Sequence, residues 1–184
     1  LIIYIGILVS WGMSVYDRIV HKSIRRYLVI LMGLMMFWML MRTLRHTVFL
    51  HVFPVGQWCW YAYYIPMILI PQFCFLAMKY VGKPEDYHMP KIWHIINIPS
   101  VILILGILTN DLHQWAFRFH QGYVAGWDVY QRGFLYYSAV VWIFVCIVMM
   151  LTEVVKNCRI PGTHKVIWRP IAMLGIGVLY TILY

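Results

Sequence analysis

The stretch GFLYYSAVVWIFVCIVMMLT, residues 133–152, runs for twenty residues without one Asp, Glu, Lys or Arg. An α-helix rises about 1.5 Å per residue, so this stretch matches the hydrocarbon core of a bilayer, about 30 Å thick. A barrel strand would instead alternate apolar and polar positions over about ten residues. A helix also satisfies every backbone N–H and C=O within its own segment, which hydrocarbon demands. The stretch therefore predicts a membrane-spanning α-helix.

Working outward from it, charged residues divide the rest of the chain in the same way. Apolar segments cover residues 1–16, 27–49, 57–80, 92–109, 133–155 and 170–184. The fold class expected is all-α, a polytopic transmembrane helix bundle forming one domain over residues 1–184. The first and last segments are short, and both ends lie inside apolar runs, Leu1-Ile2-Ile3-Tyr4 and Leu179 to Tyr184. They are read as truncated helices of a fragment whose parent has seven. The start carries no basic region before its apolar run and no small-residue cleavage site after it, so it is not a signal peptide. Composition agrees: 63% of the 184 residues are hydrophobic and 11% charged, against about 25% charged in a soluble domain. Mean hydropathy is +0.75. A soluble fold of this size has no interior large enough for that much apolar surface.

Lysine and arginine set the expected orientation. The loops at 17–26, 79–91 and 156–169 hold eleven of the fifteen, among them Arg18, Lys22, Arg25, Arg26, Lys79, Lys83, Lys91, Lys156, Arg159, Lys165 and Arg169. The other side holds Arg42, Arg45, Arg118 and Arg132. Basic loops stay in the cytoplasm, so these three loops are expected inside and the N-terminal end outside. The net charge of +9 is then a topology signal and an attraction to anionic lipid, not a nucleic-acid footprint. Trp58 to Tyr64, then Trp115, Phe117, Phe119, Trp127 and Tyr130, sit where an aromatic belt at the outer interface belongs.

Candidate chemistry collects at that same outer level. Arg42-Thr43-Leu44-Arg45-His46 lies late in the second segment. A charge at mid-membrane costs about 2.5–3.5 kcal/mol on insertion scales. These arginines either snorkel outward as interfacial anchors or face the bundle as a site for a carboxylate. Thr109-Asn110-Asp111-Leu112-His113 closes the fourth segment and reads either as a helix stop or as a polar partner of Arg42 or Arg45. Arg42, Arg45, Trp60, Tyr64, Asn110, Asp111 and His113 are the candidate ligand-binding residues, bordering a pocket between the second, third and fourth segments. His46, His51, His113 and His120 follow no metal-ligand spacing, and the four cysteines form no metal or disulfide pattern. Pro66, Pro71 and Pro99 fall within apolar segments and predict kinks. No Gly-rich phosphate loop and no pair of intramembrane carboxylates is present; Asp17 and Glu153 sit at segment ends. No catalytic residue, metal or cofactor is expected.

The order of these features resembles the N-terminal seven-helix sensor region of bacterial histidine kinases and related signalling proteins. The resemblance rests on the Arg42 region, on Trp58 to Tyr64 leading into Tyr64-Ile65-Pro66, and on Thr109-Asn110-Asp111-Leu112-His113, where the family carries a Thr-Asn pair followed shortly by His. The Gly82-Lys83-Pro84 and Cys158-Arg159-Ile160-Pro161-Gly162 loops fit as well. The resemblance implies signal input: a stimulus at the outer face or within the bundle shifts helices, and a cytoplasmic output domain in the same chain responds and acts on its response regulator. It also implies a homodimer, with the lipid bilayer as the other partner and no nucleic acid. The full-length protein would then be the kinase. Two other classes compete. A small multi-pass transporter or permease would need broken helices at matching places in two halves. A membrane protease or acyltransferase would need catalytic polar residues within the bilayer.

Overall fold

A computed structural model describes residues 6–7, 9–10, 12–14, 16, 21–48, 55–119 and 130–157. The sixth apolar segment, the loop before it from residue 158 on, and half of the first segment lie outside the described residues. Four helices among the described residues are long and apolar enough to cross a membrane: Lys22–Val48, Val55–Met78, Lys91–Leu108 and Phe134–Asn157, of 27, 24, 18 and 24 residues.

Helix α1, Lys22–Thr43, starts before the apolar run does, because the long stems of Lys and Arg let a helix carry cations at its end without burying the charge. It continues as a π-helical turn, Leu44–Val48. Here Thr43 Oγ1 donates to Met39 O at 2.8 Å and Thr47 Oγ1 to Thr43 O at 2.7 Å. Such hydroxyl back-bonding competes with the helix's own ladder and bends it. The third segment is two helices, α2, Val55–Ala62, and α3, Tyr64–Met78, joined at Tyr63. Pro66 explains the joint: it has no N–H for the carbonyl four residues back, Ala62 O. Pro71 lies inside α3 and removes a second bond. Helix α4, Asn97–Leu108, is preceded by a 3-10 turn, Lys91–Ile96. Pro99 sits in the first turn of α4, where a missing N–H is tolerated.

A short helix α5, Asn110–His113, follows and stops at Gln114, which takes a left-handed conformation (φ 53°). The next stretch was not legible as strand. It forms a two-stranded antiparallel ribbon of β1, Phe117–Phe119, and β2, Tyr130–Arg132, in which Phe117 faces Arg132 and Phe119 faces Tyr130. Gly133 N donates to Ala116 O at 2.8 Å. The backbones are so close here that a Cβ on Gly133 would lie 1.9 Å from Trp115 O. Helix α6, Phe134–Asn157, completes the described chain.

Helix α3 occupies the middle. It packs on α1 and α6 along much of its length and on α4 over less of it. Of the most apolar stretch of Val55–Met78, 44% is buried, against 6% in the α1 span, so the third segment is the most enclosed of the four. Two hydrophobic clusters result. One, at the aromatic end of the bundle, gathers Trp60, Tyr61, Tyr64, Ile68, Leu103, Ile107, Phe117 and Ala139. The other, at the basic end, gathers Phe75, Leu76, Met89, Ile96 and Cys146.

Candidate functional site

At the aromatic end, the base of the ribbon is folded onto α2. The Trp60 ring lies 4.5 Å from Phe117, 4.8 Å from Tyr130 and 5.7 Å from Phe119, centroid to centroid. Tyr61 also stacks on Phe117, 11° from parallel at 6.2 Å, and lies 5.7 Å from Trp60. Offset and edge-on ring pairs of this kind contribute about 0.5–1.5 kcal/mol each beyond the area they bury. Trp60 and Phe117 are almost fully enclosed. The π turn after α1 brings Arg45 into this cluster, its Cζ 5.1 Å above the Trp60 ring. Beside it, Arg132 rests 5.2 Å over the Tyr136 ring. The Tyr136 phenol oxygen beside it, set against slight desolvation, shifts this guanidinium up from its usual value.

Beneath the rings runs a closed polar network. Asn110 is wholly buried. Its Nδ2 donates to Tyr61 Oη at 3.1 Å and to Phe117 O at 2.9 Å. Its Oδ1 accepts from the backbone N–H of Ala116 at 2.9 Å and of Phe117 at 3.0 Å. All four hydrogen-bonding positions of the amide are filled. Tyr61 Oη donates to Asp111 Oδ1 at 2.8 Å, and Gln57 Nε2 donates to both Tyr61 Oη at 2.8 Å and Asp111 Oδ1 at 2.7 Å. Asp111 is exposed, so the network ends in a carboxylate at the rim. Chemically this is a carboxyl group held by two hydrogen bonds at the edge of a fully satisfied interior.

The predicted residues divide accordingly. Arg45, Trp60, Tyr64, Asn110 and Asp111 come together around α2, with Tyr64 buried 5.3 Å from the Phe117 ring. Arg42 is exposed on α1. Asp111 takes Gln57 and Tyr61 as its partners. His113 turns back on its own helix, meeting Thr109 Oγ1 at 3.3 Å and the Trp115 N–H at 3.0 Å. Sequence reasoning missed Gln57, Tyr61 and Phe117. Gln57 carried the one available signal, being the polar residue that opens an apolar segment.

Two further polar groupings mark the depth of the bundle. Midway, Gln72 of α3 donates to Asn97 Oδ1 and accepts from Ser100 Oγ, both on α4. Ser100 Oγ in turn accepts from Trp142 Nε1 of α6 at 2.7 Å. Gln72 and Ser100 are fully enclosed. This relay joins three helices. At the basic end, Lys79 Nζ and Glu153 Oε1 pair at 2.7 Å, with the ammonium 3.7 Å from the Trp93 ring centroid. Lys156 adds a second contact to Glu153 at 3.1 Å, and Asn157 Nδ2 donates to Met78 O at 3.1 Å. The end of α3 is thereby clasped to the end of α6.

A membrane helix bundle with a packed aromatic end and an ion-pair clasp at the other is an architecture shared by receptors, transporters and enzymes, so identity rests on comparison. Residues 1–183 match the family described as the N-terminal 7TM region of histidine kinase. The chain belongs to this family. No curated protein and no solved structure matches it. As a histidine-kinase 7TM region it is a multi-pass membrane protein, and its apolar helices are bilayer spans rather than a soluble core.

Proposed function

We propose that this 7TM region is the signal-input domain of a bacterial sensor histidine kinase, passing an external or membrane stimulus to a cytoplasmic output domain in the same polypeptide and so to its response regulator. The family match over residues 1–183 carries the reading. The geometry supports it through α3. This helix follows directly on α2, whose Gln57 and Tyr61 hold the rim carboxylate, and it ends at the Lys79–Glu153 clasp. A change in packing at one end has a continuous path of contacts to the other.

The reading places the N-terminal end outside and the loops at 17–26, 79–91 and 156–169 in the cytoplasm, on the rule that basic loops stay inside. The aromatic end then faces outward. We assign stimulus reception to Arg45, Trp60, Tyr64, Asn110 and Asp111, with Arg42 and His113 flanking, and we place the output domain on the clasp side of a homodimer. Cysteines introduced singly at positions 22, 83 and 165 should resist impermeant reagents added to intact cells; labelling there would reverse the orientation.

The function itself is tested with the full-length protein in inverted membrane vesicles supplied with labelled ATP. Phosphate should appear on a histidine. Asp111→Asn and Glu153→Gln should each change the basal rate about fivefold or more, as a coupling of 1 kcal/mol or above would produce. No phosphohistidine, or no response to either substitution, would refute the proposal.

A further inference from the structure

We infer that the clefts beside the first turns of α1 form a binding site for an anionic phospholipid. Two adjoining cavities share Arg26 and Ile30 as the ridge between them. One, about 450 Å³, is lined by Tyr16, Lys22, Arg25, Arg26, Val29 and Ile30. The other, about 330 Å³, lies between α1 and α3, with Tyr27, Ile30, Phe73 and Leu76 as its apolar wall and Ser23, His94 and Asn97 as polar members. Both fall in the size range of small-molecule sites, about 300–1,000 Å³.

The chemistry is graded along α1. Lys22, Arg25 and Arg26 stand on its first turn and a half, and Val29 and Ile30 follow one turn deeper, on the same face as the cations three and four residues before them. A ligand that fits must therefore carry a negative head and an apolar tail at helix-turn spacing. Among the described residues, neither cavity is lined by an Asp or Glu. Among the described residues the ion pairs are those of Glu153 with Lys79 and Lys156, and neither Lys22 nor Arg26 belongs to one. Arg25 is already positioned, its Cζ 4.5 Å over the Tyr16 ring. Basic pockets of this kind at helix ends hold phospholipid head groups. Asn97 lines the inner cleft and also accepts from Gln72, so a bound lipid would abut the buried relay that ties α3, α4 and α6.

The test is native mass spectrometry of the purified protein in micelles, offered phosphatidylglycerol or phosphatidylcholine with identical acyl chains. Phosphatidylglycerol should be retained preferentially. Lys22→Gln, Arg25→Gln and Arg26→Gln together should weaken its retention about a hundredfold, on the order of fivefold per charge. The charge-preserving triple Lys22→Arg, Arg25→Lys, Arg26→Lys should retain it, which separates loss of charge from loss of fold. Ile30→Trp, which fills the shared ridge, should also weaken it, and millimolar inorganic phosphate should not displace it. Equal retention of the two lipids, or unchanged retention by the neutral triple, would overturn the site. Displacement by phosphate, or indifference to Ile30→Trp, would equally overturn it, because the ligand would then be a bare anion.

Discussion

Ser100→Ala isolates the buried relay from every other contribution. The substitution deletes one oxygen atom and hardly changes volume, so no packing or cavity term follows. It removes two interhelical hydrogen bonds at once: the one donated to Gln72 Oε1 on α3 and the one accepted from Trp142 Nε1 on α6. Interhelical bonds in membrane proteins average about 0.6 kcal/mol and reach about 1.7, so two give about 1.2–3.4 kcal/mol. Ser100 and Gln72 are wholly enclosed, and the partners left behind have no water to turn to, which favours the middle of that range, about 2 kcal/mol. The assay is reversible unfolding by a denaturing detergent in mixed micelles, followed by circular dichroism. Trp142→Phe and the Ser100→Ala/Trp142→Phe pair complete a double-mutant cycle, in which the bond shared by the two should appear as coupling of about 1 kcal/mol. A loss below about 0.3 kcal/mol for Ser100→Ala, or strictly additive single mutants, would mean that the relay does not hold the helices together.

Asn110→Ala strips two buried backbone N–H groups and the Phe117 carbonyl of their partner; it should cost about 2–4 kcal/mol and raise hydrogen exchange through residues 110–119. Breaking the clasp with Lys79→Gln or Glu153→Gln should cost about 1–2 kcal/mol. That is less than a fully buried pair loses, because the two side chains remain 13% and 12% exposed, and the exchanged pair Lys79→Glu/Glu153→Lys should recover only part of it, because the swapped charges then meet the Trp93 ring face and Lys156. Gly133→Ala should destabilise by about 2–3 kcal/mol, since its Cβ meets the Trp115 backbone at 1.9 Å. Gly106→Ala, whose Cβ meets only a Leu135 methyl at 2.6 Å, should cost about 1 kcal/mol; equal losses at the two glycines, read by the same unfolding titration, would contradict the ribbon geometry.

The spans were legible because hydrocarbon imposes one requirement, a continuous apolar run of about twenty residues, and residues 133–152 meet it without reference to any neighbour. The split at Tyr63 was half legible: Pro66 announced a disturbance, but a kink and a full break read alike from one proline. What stayed hidden depends on pairing across the fold. Phe117 to Phe119 is too short and too mixed to declare itself a strand, and it becomes one only because Tyr130 to Arg132 lies opposite. Gln72 and Ser100 are single polar residues in apolar segments, and nothing local says that one faces the other. The candidate site was legible as a level in the membrane, not as a contact map. Asn110 and Asp111 were found, but the residues that hold them, Gln57 and Tyr61, lie about fifty positions earlier in the chain.

The two prolines of the central segment bear on how motion can pass along it. With no N–H at residues 66 and 71, the backbone lacks two of the bonds that make a helix behave as a stiff strut. Such a column yields sideways before it transmits a push along its axis. Any mechanical message between its two ends is therefore better carried as a change of tilt than as a piston stroke. Spin-label distances across the bundle, compared before and after Pro71→Ala straightens the column, would tell the two kinds of motion apart.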